Sequence, residues 1–350
     1  MASIRQVAKD AGVSIATVSR VINNSGPVGP KIRERVQASI NRCGYVAQVG
    51  RRVTSYLALA YTGRSSFGEP FDATLCQGMA EAMAECEWDL VFLNLARDKK
   101  PTESYTQFFT RKGVRGVILR TTMRTRDVCR EIADEGFAAL VVSDHFTEPG
   151  MSYIYCDSYP SSRQGVSHLL DLGHRRIALA ISELEDSDHA DRLRAYQEAL
   201  ADRDIPLDEA LIFRTPPTRP DGGQVIRAMM GMARPPTAIF IADPMVAVGA
   251  INEAHQLGVR VPADISVLAF DDADVRNHVY PRMTAICQDA RQLGYEAFML
   301  LARSLTNGLH TRPVQETLGT WLEINGTTQQ PTDSPARVLP DGTRMQASST

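Results

Sequence analysis

The stretch from Ser3 to Asn23, SIRQVAKDAGVSIATVSRVIN, constrains the fold more than any other part of the chain. Ser3 is placed to cap a helix, and Gln6, three positions on, completes a capping-box pattern. Ile4, Val7, Ala8 and Ala11 recur at helical spacing on one face. Gly12 ends that helix, because glycine accepts the left-handed backbone that a helix end requires. Val13 fills the angle that follows, and Ser14 caps a second helix. Val18, Val21 and Ile22 form the inner stripe of that helix. The spacing therefore predicts two short helices packed across a tight turn.

The second helix turns Ile15, Ala16, Thr17, Ser19, Arg20 and Asn23 outward. These side chains are short or hydrogen-bonding, so the helix can approach a DNA major groove closely. Ile15 and Ala16 at its N-terminal end can touch thymine methyls, and Arg20 can reach a guanine or a phosphate. Ser3, Ser14, Thr17, Ser19 and the helix N-terminus suit phosphate contacts, which fix register without reading sequence. Charge agrees with this reading. Residues 1–55 hold nine basic and two acidic residues, a net +7, while the whole chain carries only −3. The remainder is thus strongly acidic, and a basic module on an acidic body is the electrostatic footprint of a DNA-binding domain.

At 350 residues the chain is too long for one simple core and implies two or three domains. From Tyr56 onward, short apolar strands alternate with helices. Leu57–Tyr61, Leu90–Leu93, Gly116–Leu119 and Ala139–Val142 form one set; Ile177–Ala180, Leu211–Phe213, Ala238–Ile241 and Ile265–Phe270 form a second after Asp157. Strands apolar throughout, separated by helices, predict parallel sheets covered on both faces. Six scattered cysteines with no C-x-x-C suit reduced thiols in cores. No nucleophile motif, glycine-rich phosphate loop or metal-ligand spacing is present, so no catalytic residue, metal or cofactor is expected. No apolar run is long enough to span a bilayer, and the N-terminus lacks a basic-then-apolar export segment. A cytoplasmic protein without membrane contact is expected.

Val7-Ala8-Lys9, Ala11-Gly12-Val13-Ser14, Ala16-Thr17-Val18-Ser19-Arg20-Val21, Asn23, and Arg33-Glu34-Arg35-Val36 through Gly44-Tyr45 closely resemble the headpiece of the LacI/GalR family of bacterial transcription regulators. The resemblance extends through nearly the whole chain. It implies an α/β protein: a three-helix helix-turn-helix headpiece (1–46), a short hinge linker (47–55), and a two-lobed, periplasmic-binding-protein-like domain of parallel sheets flanked by helices (56–330). Lobe one is expected at about 56–157 and 288–316, lobe two at about 158–287 and 317–330, with crossings near Asp157, Gln288 and Thr317. Residues 331–350, rich in Pro, Ser, Thr and Asp, are expected to be disordered. In the third helix, Ile32, Val36 and Ile40 form an apolar stripe, while Gly29 stands where the family often has a hydroxyl cap. The linker departs from the family: it is shorter and lacks the leucine that wedges into the minor groove. Val49 and Val53 are its possible wedges, and Arg51 and Arg52 its phosphate contacts.

Ligands of open α/β sheets bind beyond the carboxyl ends of strands. That geometry nominates Thr62, Arg120, Ser143, Asp144, Asp243, Asp271 and Asp272. The resemblance points to Arg192, Asp271 and Gln288 as effector contacts and retains Asp243, with Pro244 where the family often has a second acid. Phe71 is a stacking candidate, Asp272 is expected to cap the following turn, and His174 to be a packing residue. Carboxylates with an arginine suit a polyhydroxylated ligand. If Arg120 and Arg192 both face inward, a sugar acid or sugar phosphate fits as well.

The expected function is a sequence-specific regulator, a dimeric or tetrameric repressor that binds a pseudo-palindromic double-stranded operator under control of a sugar-like effector. An activator, or a regulator without effector control, is the alternative kept open by Pro244 and the linker. A transport binding protein predicts an export segment and no DNA module. An enzyme on this fold predicts a catalytic constellation.

Overall fold

The computed structural model describes residues 3–22, 26–45, 55–63, 68–183, 186–308, 312–332, 336–339, 342 and 344–346. Asn23, Arg51 and Arg52, and the linker valines Val49 and Val53, lie outside them.

The headpiece is α1 (Ile4–Asp10), α2 (Ile15–Ile22) and α3 (Pro30–Cys43). Ser3 caps α1 by accepting from the Gln6 backbone N–H at 3.3 Å. Gly12 takes φ +60° at the turn. Val7, Ala8, Ala11, Val18, Val21, Val36 and Ile40 form the small core. The third helix joins through the buried Ser39, whose hydroxyl donates to the Val7 carbonyl at 3.1 Å. Ile32, expected in that stripe, is exposed instead. It lies in the first turn of α3, outside the angle made by the other two helices.

Lobe one contains β1 (Tyr56–Tyr61), α4 (Pro70–Ala84), β2 (Asp89–Asn94), α5 (Leu95–Asp98), α6 (Tyr105–Arg111), β3 (Gly116–Arg120), α7 (Arg126–Asp134), β4 (Ala139–Val142) and β5 (Tyr153–Asp157). Lobe two contains α8 (Tyr159–Asp171), β6 (Ile177–Ser182), α9 (Ser187–Ala201), β7 (Ile212–Thr215), α10 (Arg219–Met230), β8 (Ala238–Ile241), α11 (Pro244–Gln256), β9 (Ser266–Asp271) and β10 (Thr284–Cys287). The chain then returns through α12 (Ala290–Thr306) and β11 (Gln315–Gly319) to lobe one, and crosses again to lobe two with β12 (Trp321–Glu323).

Sheet order is β2-β1-β3-β4-β5-β11 in lobe one, parallel throughout, and β7-β6-β8-β9-β10-β12 in lobe two, where only β12 runs antiparallel. Leu57, Ala58, Leu59 and Ala60 are all fully buried, as a strand covered on both faces requires. Helices α4 and α12 approach so closely that a Cβ on Gly294 would sit 2.0 Å from the Leu75 carbonyl oxygen.

The third crossing comes at Thr320, beyond the expected Thr317, because β11 pairs with β5 through Gly319↔Asp157. Thr320 is tied to the first crossing, donating to the Asp157 carbonyl at 2.9 Å. Within the tail expected to be disordered, residues 336–338 and 344–346 form two strands. Ala336–Val338 (β13) pairs antiparallel with Arg344–Gln346 (β14). Ala336 and Val338 enter the core beside Val225 and Met229, and Arg344 donates to both oxygens of Asp264 at 2.8 Å. Composition hid this hairpin because only two small apolar side chains anchor it.

Candidate functional site

Local sequence builds the outer surface of α2. Ser14 caps it, accepting from the Thr17 N–H at 3.1 Å and sharing a hydrogen bond with the Thr17 hydroxyl at 2.8 Å. Val18 and Val21 are buried beneath, which turns Ile15, Ala16 and Arg20 outward into solvent and leaves Thr17 and Ser19 half-buried at the margin. An exposed isoleucine at the first position of a short helix, 45% accessible, serves no packing purpose in the headpiece. Ser3 and Ser14 are thus committed first to helix caps, and a DNA phosphate would meet the free N–H groups around them.

The second site lies where the carboxyl ends of the strands of both lobes face each other. From lobe one, Arg120 at the end of β3 donates through Nε to Asp72 Oδ1 at 3.0 Å. The Tyr61 hydroxyl donates to the other oxygen of Asp72 at 2.9 Å. The Arg120 guanidinium also lies over the Phe71 ring, 4.8 Å from its centroid. The expected stacking face of Phe71 is therefore covered by Arg120. Arg120 in turn lies in the field of Asp186 and Asp188 of lobe two. It faces the cleft, already paired.

Asp144 does not present a carboxylate to the cleft. Arg126 clasps it with Nε at 3.0 Å and with Nη2, and the His145 N–H adds a bond at 2.8 Å. Both oxygens are occupied, so the residue expected to contact effector holds the loop after β4 instead.

From lobe two, Arg192 on α9 is almost completely buried. Its guanidinium stacks 3.5 Å from the Phe270 centroid, donates to the Ala242 carbonyl at 2.9 Å, and lies 3.9 Å from Asp188. Its Nε has no partner among the described residues. Helix α9 begins at Ser187, earlier than the expected Asp191, because Asp186 caps it by accepting from the His189 N–H at 2.8 Å. That earlier start brings Asp186, Asp188 and His189 to the cleft. Asp243 caps α11 through bonds from the Met245 and Val246 N–H groups at 2.8 and 3.0 Å. Pro244 sits in the first turn, where no N–H is needed, so it costs the cap nothing.

The two acids at the end of β9 exchange the roles expected of them. Asp271 is fully buried and accepts from the Val275 N–H at 3.0 Å, the Arg276 N–H at 3.2 Å and the Arg276 guanidinium at 2.8 Å. It holds the turn. Asp272 instead lies in the field of Asp243 and Arg192, with a buried Oδ1 that has no partner among the described residues. Burial, with Asp243 adding like charge, pushes its carboxyl up to about 8. Gln288 at the second crossing is buried, and its Oε1 is likewise unpartnered. Cys156 at the end of β5 lies in the fields of Asp188, Arg192 and Asp272 together, so these side chains share one space.

The lobes touch through Ser143, whose hydroxyl donates to Asp188 Oδ2 at 3.0 Å, and through His145, whose Nε2 lies 3.2 Å from Asp191 Oδ2. Burial pushes the Asp188 carboxyl up; for Asp186 burial acts the same way, but His189 beside it overcomes this and holds it low. The cleft therefore gathers Phe71, Arg120, Arg192, Asp243 and Gln288 from among the expected residues. It adds Asp72, Asp186, Asp188 and His189, keeps the strand-end candidate Asp272 in place of the capping role expected of it, and removes Asp144 and Asp271. The position of Asp188 just beyond the carboxyl end of β6 was available as a signal, as was the adjacency of Asp72 to Phe71.

His174 is a packing residue as expected, bonded to Thr237, Ser266 and the Gln329 carbonyl. Among the described residues no cluster of His, Cys, Asp or Glu is arranged to hold a metal ion, and no helix is long and apolar enough to cross a membrane.

Residues 3–48 match the family described as bacterial regulatory proteins, lacI family, and residues 166–328 match the periplasmic binding protein-like domain. The chain is 30% identical to the HTH-type transcriptional regulator DegA of Bacillus subtilis, over 86% of this chain and 91% of that protein. It is 31% identical to the HTH-type transcriptional regulator CelR of Thermobifida fusca, over 92% and 97%. Among solved structures, the CelR–cellobiose complex superposes with a TM-score of 0.67 at 29% identity, covering 94% of this chain and all of that one. The lac repressor dimer bound to operator and the anti-inducer ONPF also gives 0.67, at 25% identity, covering 94% and 99%. These relatives are transcriptional regulators and not enzymes. With an N-terminal helix-turn-helix joined to a two-lobed α/β body, and with these relatives over nearly its whole length, this chain belongs to the LacI family of bacterial regulatory proteins.

Proposed function

We propose that this chain is a cytoplasmic repressor that binds a pseudo-palindromic operator as a homodimer, or a pair of dimers, and responds to a small polyhydroxylated effector held between its lobes. The observation that carries the DNA reading is α2, which buries Val18 and Val21 and presents Ile15, Ala16 and Arg20 outward. In this reading Ile15 and Ala16 meet base edges. Arg20 reaches a base or phosphate, and Ser3, Ser14, Thr17 and Ser19 with the helix N-termini hold the backbone. Asn23, Arg51 and Arg52, which lie outside the described residues, are further DNA contacts in the same reading. Two-fold symmetry sets half-sites about 10 base pairs apart.

The effector reading rests on Arg192, Gln288, Asp188 and Asp272, four side chains with unpartnered buried polar atoms. Buried polar atoms without partners are uncommon, and a ligand with hydroxyls satisfies them. Two relatives support it: CelR was solved with cellobiose, and the lac repressor dimer with operator and an anti-inducer. A ligand touching both lobes favours one closure over another and so shifts the spacing of the headpieces; it does so only to the extent that it binds the two states unequally.

The test is operator affinity measured with and without a panel of sugars. The proposal expects at least one sugar to change affinity about tenfold or more, within the usual range of allosteric coupling. Gln288→Ala should lose the response and keep operator binding. Operator binding indifferent to every sugar would favour the regulator without effector control.

A further inference from the structure

Lobe one holds a cavity of about 140 Å³ between α7 and the sheet. Its inner walls are Leu119, Cys129, Val141 and Met151, all buried, with Phe137 held by its stack on Phe109, 4.7 Å between ring centroids. Its mouth is formed by Gly136, Gly150, Ser152 and Pro313, residues that lead into β4, β5 and β11. The cavity thus opens at the amino ends of these strands, while the cleft between the lobes lies at the carboxyl ends. Small residues make the space: Ala133 and Ala139 line it where larger side chains would fill it. Gly150 is exposed, its backbone is not left-handed, and a Cβ there would meet nothing within 4 Å. Neither strain nor crowding therefore calls for glycine at the mouth.

A void forfeits the dispersion contacts of the atoms around it, and an occupant restores them. An apolar cavity of about 150 Å³ accepts one benzene ring. None of the described residues lining this one is charged. Burial pushes the Cys129 thiol up to about 11, so it too is neutral near neutral pH. A ligand carboxylate or ammonium would be desolvated here without a counter-charge. One polar group faces the space: the Ser152 hydroxyl, which accepts from the Val314 N–H at 3.1 Å. As the acceptor in that bond it keeps its own proton to donate. We infer that lobe one carries a second ligand site, separate from the cleft between the lobes, which takes a single small uncharged aromatic ring bearing one hydrogen-bond acceptor. Ser152 is the group that orients it, and Gly150 and Ala133 leave the room for it.

The experiment is calorimetric titration of the full chain with phenol, benzene and benzoate. The expected result is saturable binding of phenol, with benzene about tenfold weaker for want of the hydrogen bond. Benzoate should be at least about 100-fold weaker, because its charge finds no partner. Gly150→Leu closes the mouth from an exposed position that leaves the core intact, and Ala133→Leu fills the space from α7. Each variant, checked for folding by its melting curve and by operator binding, should weaken phenol at least about tenfold. Phenol binding unchanged in the folded Gly150→Leu chain and in the folded Ala133→Leu chain overturns the placement in lobe one. Benzoate binding as tightly as phenol overturns the choice of a neutral ligand, and benzene binding as tightly overturns the part given to Ser152. No binding by any of the three overturns the site itself.

Discussion

His145, just after β4 in lobe one, meets Asp191 on α9 of lobe two with Nε2 and Oδ2 3.2 Å apart. The bond to Asp191 raises the His145 pKa above its ordinary 6.5, with burial opposing. Asp144 also favours the charged ring and Arg126 disfavours it; the Tyr155 ring packs beside it at 4.6 Å, and Arg194 shares Asp191 from its far side at 2.8 Å. A histidine with a raised folded pKa stabilises fully below its unfolded value and loses that contribution as pH rises through the folded value. The contact between the lobes is thus strongest in acid.

Comparing wild type with His145→Gln across pH 5.5 to 8.5 should give a stability difference largest at the acid end and fading above neutrality. Its size should stay under about 1 kcal/mol, since the pair is partly open to solvent. A difference independent of pH would mean that the ring is neutral at the contact.

Asp271 and Asp272 should separate cleanly. Asp271→Ala leaves the Ala273, Val275 and Arg276 N–H groups without their acceptor and takes one of three carboxylates from the Arg276 guanidinium, which keeps Asp274 and Glu323, and should cost about 1–3 kcal/mol, the usual result of orphaning buried donors. Asp272→Asn should do the opposite. A carboxyl raised in the folded state from 3.8 to about 8 costs stability progressively as pH climbs between those values. The variant should therefore gain on wild type in melting temperature as pH approaches 8. Equal losses in both variants would contradict the exchange of roles.

On the headpiece, Arg20→Ala should weaken operator binding and, if Arg20 holds a phosphate, reduce the salt slope by about one. Ser14→Ala removes the cap of α2 and should cost about 1 kcal/mol of headpiece stability before any DNA is added. Melting curves and filter binding on the same samples distinguish the two effects.

Gly294→Ala probes the packing of lobe one. Its Cβ would stand 2.0 Å from the Leu75 carbonyl oxygen, a backbone atom that cannot rotate away. Overpacking of this kind costs about 1–3 kcal/mol or more. A melting temperature equal to wild type would mean that α4 and α12 can slide apart freely.

The headpiece was legible because its signals are local. Ser3, Gly12, Ser14 and the Val18–Val21 stripe act within a few residues of themselves. The two sheets were legible because strands buried on both faces leave apolar runs, as in Leu57–Tyr61. What could not be read was which polar side chain would meet which. Arg120 pairs with Asp72, Arg126 with Asp144 and Arg344 with Asp264, partners 48, 18 and 80 positions away. Assigning Asp271 to the turn and Asp272 to the cleft required the geometry of the turn that follows β9, where Arg276 folds back onto the first acid. The cap at Asp186, which carries Asp188 into the cleft, lay just ahead of the periodic part of α9.

The central claim is sequence-specific recognition of DNA by α2, and in vitro selection from random duplex DNA with the full chain tests it most directly. Run at two salt concentrations, it should return two symmetric half-sites that survive the higher salt, with Ile15→Ala and Arg20→Ala each relaxing the preference at particular bases. Enrichment of no motif, with binding that vanishes as salt rises, would leave only attraction to phosphates and would contradict the account.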